Sequence, residues 1–383
     1  MAPSPSTCAL TPCLNPHGLS SVLQSTKHYL LETKEEINMA ILGSNQAYAA
    51  TRAKTRRSNL LDRTRLRQLI QQSPDQLTVA VADSGYRAEI DLYAGKFSGG
   101  DLVEAALSHN LQSELANIIG LCSGRMKDLV EIYSGRFRYH NAKVVLRAVL
   151  NDVSSEKVAH SILPEESEIN APWIRMIKEA KTLREAVEQM RRLPFGKALM
   201  DLSEDSGLQA YEDTLDHHYF KHSLDALRGG ADARILRTIL TGEIDHRNII
   251  NILEGHAFGL SSEEISKALI PDGRLITARN SSQAISSKEG LLDVLRQSNK
   301  FDLDGFIQTL SASDEARTLD PVITWLRGRE HAQMKRLSYL HPVSALPVIH
   351  YVACKVQEVE DLRLIVRGRM AGLPVEVLEA HVL

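Results

Sequence analysis

The stretch EVEDLRLIVRGRMAGLPVEVLEAHVL, Glu358–Leu383, decides how the chain is read, because most of it occurs three times. RYHNAKVVLRAVLNDVSSEKV (Arg138–Val158), DHRNIINILEGHAFGLSSEEI (Asp245–Ile265) and EVEDLRLIVRGRMAGLPVEVL (Glu358–Leu378) align without a gap. A small polar residue opens each copy: Asn141, Asn248, Asp361. Apolar columns follow at Ala142/Ile249/Leu362, Val145/Ile252/Ile365 and Leu146/Leu253/Val366, the i, i+3, i+4 spacing of one buried helix face. A breaker column (Asp152, Gly259, Gly372) comes next, then Ser154/Ser261/Pro374 and a carboxylate at Glu156/Glu263/Glu376. The unit reads as a helix, a glycine-type C-cap and a second helix begun by Ser or Pro with an acid in its first turn.

Two further markers recur in the same order. One is a capping box, Ser73-x-x-Gln76, Thr182-x-x-Glu185 and Ser286-x-x-Glu289, each followed by an aromatic at Tyr86, Phe195 or Phe301. The other is Leu107-Ser108, Leu215-Asp216 and Leu319-Asp320. Copies lie roughly 110 residues apart, a period that signals internal triplication. The third copy is longer between its last two markers, which places a short insertion around Leu337–Pro347. No sustained period-2 alternation interrupts the helical pattern. The expected fold is all-α: helical modules over residues 39–165, 166–275 and 276–383 with pseudo-threefold character. Such repeats share an inner face suited to binding. Residues 1–38 read as an upstream start or a disordered extension.

Composition excludes several classes. The chain has 383 residues, 43% apolar and 24% charged, with a formal net charge of −3. That balance gives no general attraction to nucleic acid or an anionic membrane. No apolar run approaches the ~20 residues that cross a bilayer. Cys8, Cys13, Cys122 and Cys354 form no CxxC, which fits a reducing compartment. From Tyr48, YAATRAKTRRSNLLDRTRLRQLIQQ reads as a single basic helix, with Arg52, Lys54, Arg56, Arg57, Arg63, Arg65 and Arg67. It is either a contact for something acidic or a solvated face whose long stems lie over apolar surface.

Catalytic motifs are scarce in the sequence. There is no GxxxxGK[ST], GxGxxG or GxSxG. His218 and His222 share a helix face at zinc-like spacing, but HExxH is missing and Lys221 stands beside them. Solvated or partly packed histidines are the plainer reading. Glu243 and Asp245 point about 200° apart on a helix and make no acid/base pair by themselves. No catalytic residue, metal site or cofactor is assigned.

The terminal signature resembles that of the C subunit of archaeal and bacterial A/V-type ATP synthases, the counterpart of the d subunit in eukaryotic vacuolar ATPases. The family ends in E-V-x-N-L-R-x-[IL]-x-R-G-K-x-x-G-[LI]-P. Glu358, Val359, Leu362, Arg363, Arg367, Gly368, Gly372, Leu373 and Pro374 match, while Asp361 stands for Asn and Arg369 for Lys. HPVSALPVIHYVACKVQ resembles the stretch before it through His341, Pro342, Ser344, Pro347, Val348, Tyr351 and Lys355, with Gln357 in place of an acid. YAATRAKTRRSNLLD resembles the family's opening. The resemblance spans Tyr48–Leu383.

It implies a funnel of three similar helical domains and a non-catalytic part of a rotary motor. Such a part sits on the cytoplasmic end of the membrane proteolipid ring, as a peripheral protein. It receives the foot of the central shaft, made of the D and F subunits, and transmits torque between proton or sodium flow and the nucleotide-processing head. It needs no cofactor and contacts no nucleic acid. The basic opening helix, with Arg52 and Arg56, and the charged repeat positions Glu243, Asp245, Glu358, Arg363 and Arg367 are the candidates for partner contact. Two rival readings are a free-standing helical scaffold, which the same repeats would build, and a nucleic-acid binder using the basic helix, which net acidity disfavours.

Overall fold

Each breaker residue has the backbone conformation that its place in the signature demands. Asp152, Gly259 and Gly372 lie at φ of 49°, 68° and 74°, the left-handed region that ends a helix. The residue after each donates its N–H back across the last turn: Val153 to the Ala148 carbonyl (2.9 Å), Leu260 to Gly255 (2.8 Å) and Leu373 to Gly368 (2.8 Å). These are Schellman closures, and they satisfy carbonyls that the helix end would otherwise leave unpaired. A short helix then folds back. Where the two helices meet stands a small residue, buried Ala148, Gly255 or Gly368. A Cβ on Gly368 would lie 2.4 Å from Leu378 Cδ2, and one on Gly255 would lie 2.5 Å from Ile265 Cγ1.

The computed structural model describes residues 45–158, 162 and 171–382, and among them every regular element is helical. The extension proposed for residues 1–38 lies outside the described residues. In chain order the helices are α1 (45–58), α2 (Arg63–Ile70), α3 (Pro74–Val81), α4 (Arg87–Tyr93), α5 (Gly99–Gly120), α6 (Gly124–Ser134), α7 (Arg136–Leu150) and α8 (Ser155–Val158). There follow α9 (Ala171–Glu179), α10 (Leu183–Gln189), α11 (Gly196–Met200), α12 (Leu208–Ala226), α13 (Ala231–Ala257) and α14 (Ser262–Ala268). The last six are α15 (Ser281–Ala284), α16 (Lys288–Arg296), α17 (Leu303–Ala316), α18 (Asp320–Leu340), α19 (Leu346–Met370) and α20 (Val375–His381). A π-helical turn, Ala82–Tyr86, joins α3 to α4 around Gly85 at φ 106°.

Several local expectations are corrected. The basic segment is two helices, α1 and α2, because Asp62 caps α2 by accepting from the Arg65 N–H at 2.8 Å. The Leu61 N–H in the break donates to Glu358 Oε2 at 2.6 Å, so a distant residue holds the chain open there. Thr182 caps α10 as expected, but Ser73 makes no side-chain cap bond, and the cap of α16 is Ser287, one residue after Ser286. A full capping box forms instead at Ser261 and Glu264. The Leu107 and Leu215 markers lie inside α5 and α12, whereas Leu319-Asp320 begins α18. Those long helices end at Gly120, Ala226 and Leu340, a similar distance ahead of Asn141, Asn248 and Asp361. No insertion at Leu337–Pro347 is therefore required, and the extra length of the third copy lies earlier, in α17.

Residues Gln46–Leu383 form one unit by their contacts, with two apolar cores inside it. The larger gathers α1–α7 and α9–α12 with the first half of α13 and most of α19. The smaller contains Ile249, Ile252, Leu253, Phe306, Val322 and Leu326 among others, so it joins the second half of α13 to α16, α17 and the start of α18. Helices α13 and α18 each run through both cores.

Candidate functional site

The three signature helices, α7, α13 and α19, each pack on a long helix that precedes the signature of another copy. Helix α7 lies on α12, α13 on α18, and α19 returns to α5. Two of these seams carry charged side chains at aligned positions, each bonded across the seam. In the first, Lys143 Nζ meets Asp216 Oδ2 at 2.7 Å, and Arg147 grips Glu212 with two bonds of 2.6 and 2.7 Å. In the other, Arg363 donates to Ser108 Oγ at 2.8 Å, and Arg367 Nε meets Glu104 Oε1 at 2.6 Å. Arg363 Nε is a further 3.3 Å from Glu104 Oε2. Lys143 and Arg363 share one column of the alignment, and Arg147 and Arg367 another.

The third seam is built differently. Ile250 and Glu254 occupy the columns that carry cations elsewhere. Glu254 has no ion pair among the described residues, and burial raises its pKa. Helices α13 and α18 are tied instead by His246 Nδ1 and Glu330 Oε1 at 2.8 Å.

A second charged cluster lies where α19 meets the π-helical turn before α4. Glu358 Oε1 accepts from Lys355 Nζ at 2.8 Å and from the Tyr86 hydroxyl at 2.5 Å. All three side chains are buried, and burial beside Glu358 lifts the Tyr86 pKa well above the usual phenol range. Removing one member would strand the remaining charge in low dielectric. Nearby, Arg56 pairs with Glu114 at 3.0 Å and Tyr351 donates to the same carboxylate at 2.5 Å. Arg57 Nη1 lies 2.6 Å from His350 Nδ1, and Lys54 donates to the Pro342 carbonyl.

Most residues singled out in the sequence thus face inward. Glu243 is buried against Arg136 at 3.1 Å, and burial raises its pKa against the pull of that guanidinium. Asp245 accepts from the backbone N–H groups of Arg274, Leu275 and Ile276, fastening the loop after α14. Glu358 and Arg363 are buried in the clusters above, and Arg56 is part-buried. Arg52 is exposed, and Arg367 keeps 55% of its side chain accessible. The signature residues Asn141, Asn248 and Asp361 are buried inside their helices. Asn248 clamps both polar groups of Ile270 at 2.8 Å, and Asp361 accepts from Gln357.

His218 accepts or donates to the Tyr139 hydroxyl at 2.9 Å and stacks on His222. Burial, then the neighbouring His222, lowers its pKa. No group of three or more metal-ligating side chains gathers among the described residues. Sequence reasoning passed over Glu104, Glu212, Lys143 and Arg147. The signal was present, since the same two signature columns are basic in the first and third copies.

Between these helices lies a cavity of about 310 Å³ to which α7, α12, α13, α18 and α19 all contribute. Arg136, Glu243, Arg247, Arg327, His331 and Glu360 are in its wall. Burial raises the pKa of Glu360 against Arg327 and Arg363, and lowers that of His331. The wall is charged in both signs.

Fold and seams together define an all-helical repeat protein braced by internal ion pairs. The chain belongs to the ATP synthase (C/AC39) subunit family, whose sequence pattern matches residues 49–381. It is similar to the A-type ATP synthase C subunit of Haloferax volcanii, with 30% identity over 348 residues that cover 88% of this chain and 97% of that protein. The namesake proteins of Haloquadratum walsbyi (29% over 348 residues; 88% and 97% covered) and Methanosarcina acetivorans (27% over 334 residues; 86% and 90%) are also similar. It is accordingly a component of an ATP synthase. No helix among the described residues is long and apolar enough to cross a membrane.

Proposed function

We propose that this protein is a non-catalytic coupling socket of the central stalk, at the cytoplasmic face of the membrane. In this reading it holds the foot of a shaft made of the D and F subunits on the proteolipid ring and passes torque between them. The observation that carries the reading is the cavity to which α7, α13 and α19, one signature helix from each copy, all contribute. A shaft foot would enter along the axis relating the copies, between modules 39–165, 166–275 and 276–383 arranged with pseudo-threefold symmetry as a funnel. The order of the seams, α7 on α12, α13 on α18 and α19 on α5, supports that arrangement. A part that transmits torque must resist shear, and charge pairs of fixed geometry across two seams serve that end. Rim charges such as Arg247 and Arg327 would set register with the shaft, while exposed Arg52 and Arg367 remain candidates for outer contacts. Each signature helix also ends in an exposed apolar side chain, Leu150, Phe258 or Met370, a surface that a larger assembly would cover. We assign these to the ring.

The test is recovery of partners by tagged protein from detergent-solubilised native membranes, identified by mass. Wild type should bring down shaft, head and proteolipid subunits in a salt-tolerant complex. Arg247→Glu with Arg327→Glu should lose the shaft and keep the ring, and Phe258→Asp with Met370→Asp the reverse. Wild-type protein that recovers none of these partners sinks the reading and favours a free-standing scaffold.

A further inference from the structure

A second concavity, of about 750 Å³, lies outside the socket just described, against the seam between α13 and α18. Its walls are those two helices and the loops that precede α15 and follow α16. Arg274, Lys300 and Arg336 line it, and all three are exposed. None has an ion pair or side-chain hydrogen bond among the described residues, whereas Lys143, Arg147 and Arg367 on the other seams are all paired. Arg329 is a fourth cation in the wall; it meets Asp302 at 3.4 Å and its guanidinium lies over the Trp325 and Phe301 rings.

The acidic side chains nearby are already engaged. Asp245 lines the concavity, but three backbone N–H groups occupy its oxygens. Glu330 is bonded to His246, which also lines it. A chain of net charge −3 thus gathers three unpaired cations and Arg329 around one groove, against a single carboxylate among the described residues of its wall, Asp245, whose oxygens are turned to backbone N–H groups. Like charges held this close raise the local potential and attract an anionic partner.

The groove also discriminates among anions. Leu275, Leu337 and Phe301 supply apolar surface between the charges, and Ser298 and Gln333 supply polar groups. The Phe301 ring already carries the Arg329 guanidinium, 5.4 Å from its centroid, so it is not a vacant platform for a nucleobase. A walled groove fits an extended chain better than the flat headgroup layer of a membrane. We propose that this groove docks an extended acidic segment, rich in Asp or Glu, of a partner protein. The site is independent of the socket reading, because none of its lining residues is in the socket wall.

The probe is a fluorescein-labelled octaglutamate peptide titrated into the full chain at low and at physiological salt, read by anisotropy. Wild type should bind it, more weakly as salt screens the charges. Arg274→Glu with Lys300→Glu and Arg336→Glu should weaken binding at least about tenfold. A matched reversal of exposed cations elsewhere, Arg191→Glu with Arg192→Glu and Arg228→Glu, should leave it within about twofold. Circular dichroism of each variant shows that the fold is kept. No binding by wild type overturns the proposal, as does an equal loss in both triple variants. Binding of anionic vesicles or inorganic triphosphate that the groove variant abolishes, with the peptide unaffected, would assign the groove to another anion and likewise overturn it.

Discussion

His350 carries a clear pH signature at the scale of single residues. Its ring is buried, and burial first, then the neighbouring Arg57 guanidinium, pushes its pKa down to about 3. His331 and Lys335 add to the positive surroundings. An unfolded histidine titrates near ~6.5. Below that value the unfolded chain takes up a proton that the folded chain refuses, so stability is full above about 6.5 and is lost as pH falls toward about 3. The loss should be on the order of a few kcal/mol. Thermal unfolding measured across that range should show a steeper acid decline for wild type than for His350→Gln, whose amide oxygen can still accept from Arg57. Identical slopes would mean that His350 does not couple folding to protons. Nothing local in HPVSALPVIHYVACK marks His350 for this role; the pressure comes first from burial and then from Arg57, far away in sequence.

Single helix pairs can be compared because two seams repeat one design with different burial. Glu104 meets Arg363, whose side chain is 10% exposed, as well as Arg367; Glu212 meets Arg147, which is 58% exposed. A charge left alone in the interior costs about 3–5 kcal/mol, whereas an exposed partner can turn to water at a cost of about 1 kcal/mol or less. Glu104→Gln should therefore lower stability by several times as much as Glu212→Gln in chemical denaturation. Equal losses would show that Arg363 reaches solvent without Glu104. The hairpins at the ends of these helices were legible in advance, since the breaker column requires positive φ and the apolar columns keep helical spacing. The internal ties of α1 were not. A run of arginines looks alike whether it faces water or a buried carboxylate, and only folding brought Arg56 to Glu114 and Arg57 to His350.

The whole chain behind the signature divides its apolar side chains between two cores, and that division predicts uneven stability. The smaller core, built on Ile249, Phe306 and Leu326, is joined to the larger through α13 and α18, on the seam that lacks the repeated ion pairs. Regions with fewer apolar contacts open at lower free energy. Amide hydrogen exchange should therefore be faster in α16 and α17 than in α5, α7 and α19. Equal protection in both sets would mean that the two cores unfold together.

By itself the sequence determined the helical class, the three hairpins and the family, because each rests on local requirements: helical spacing, a left-handed residue, a short motif. Tertiary structure alone decided which charges are internal. Glu243, Asp245, Glu358 and Arg363 look like surface residues on a helical pattern, yet each is buried among partners from distant segments. The reason is physical. Burial of a charge depends on what packs over it: for Glu243, Glu358 and Arg363 that cover includes residues of another copy of the repeat, and for Asp245 it is the loop after α14.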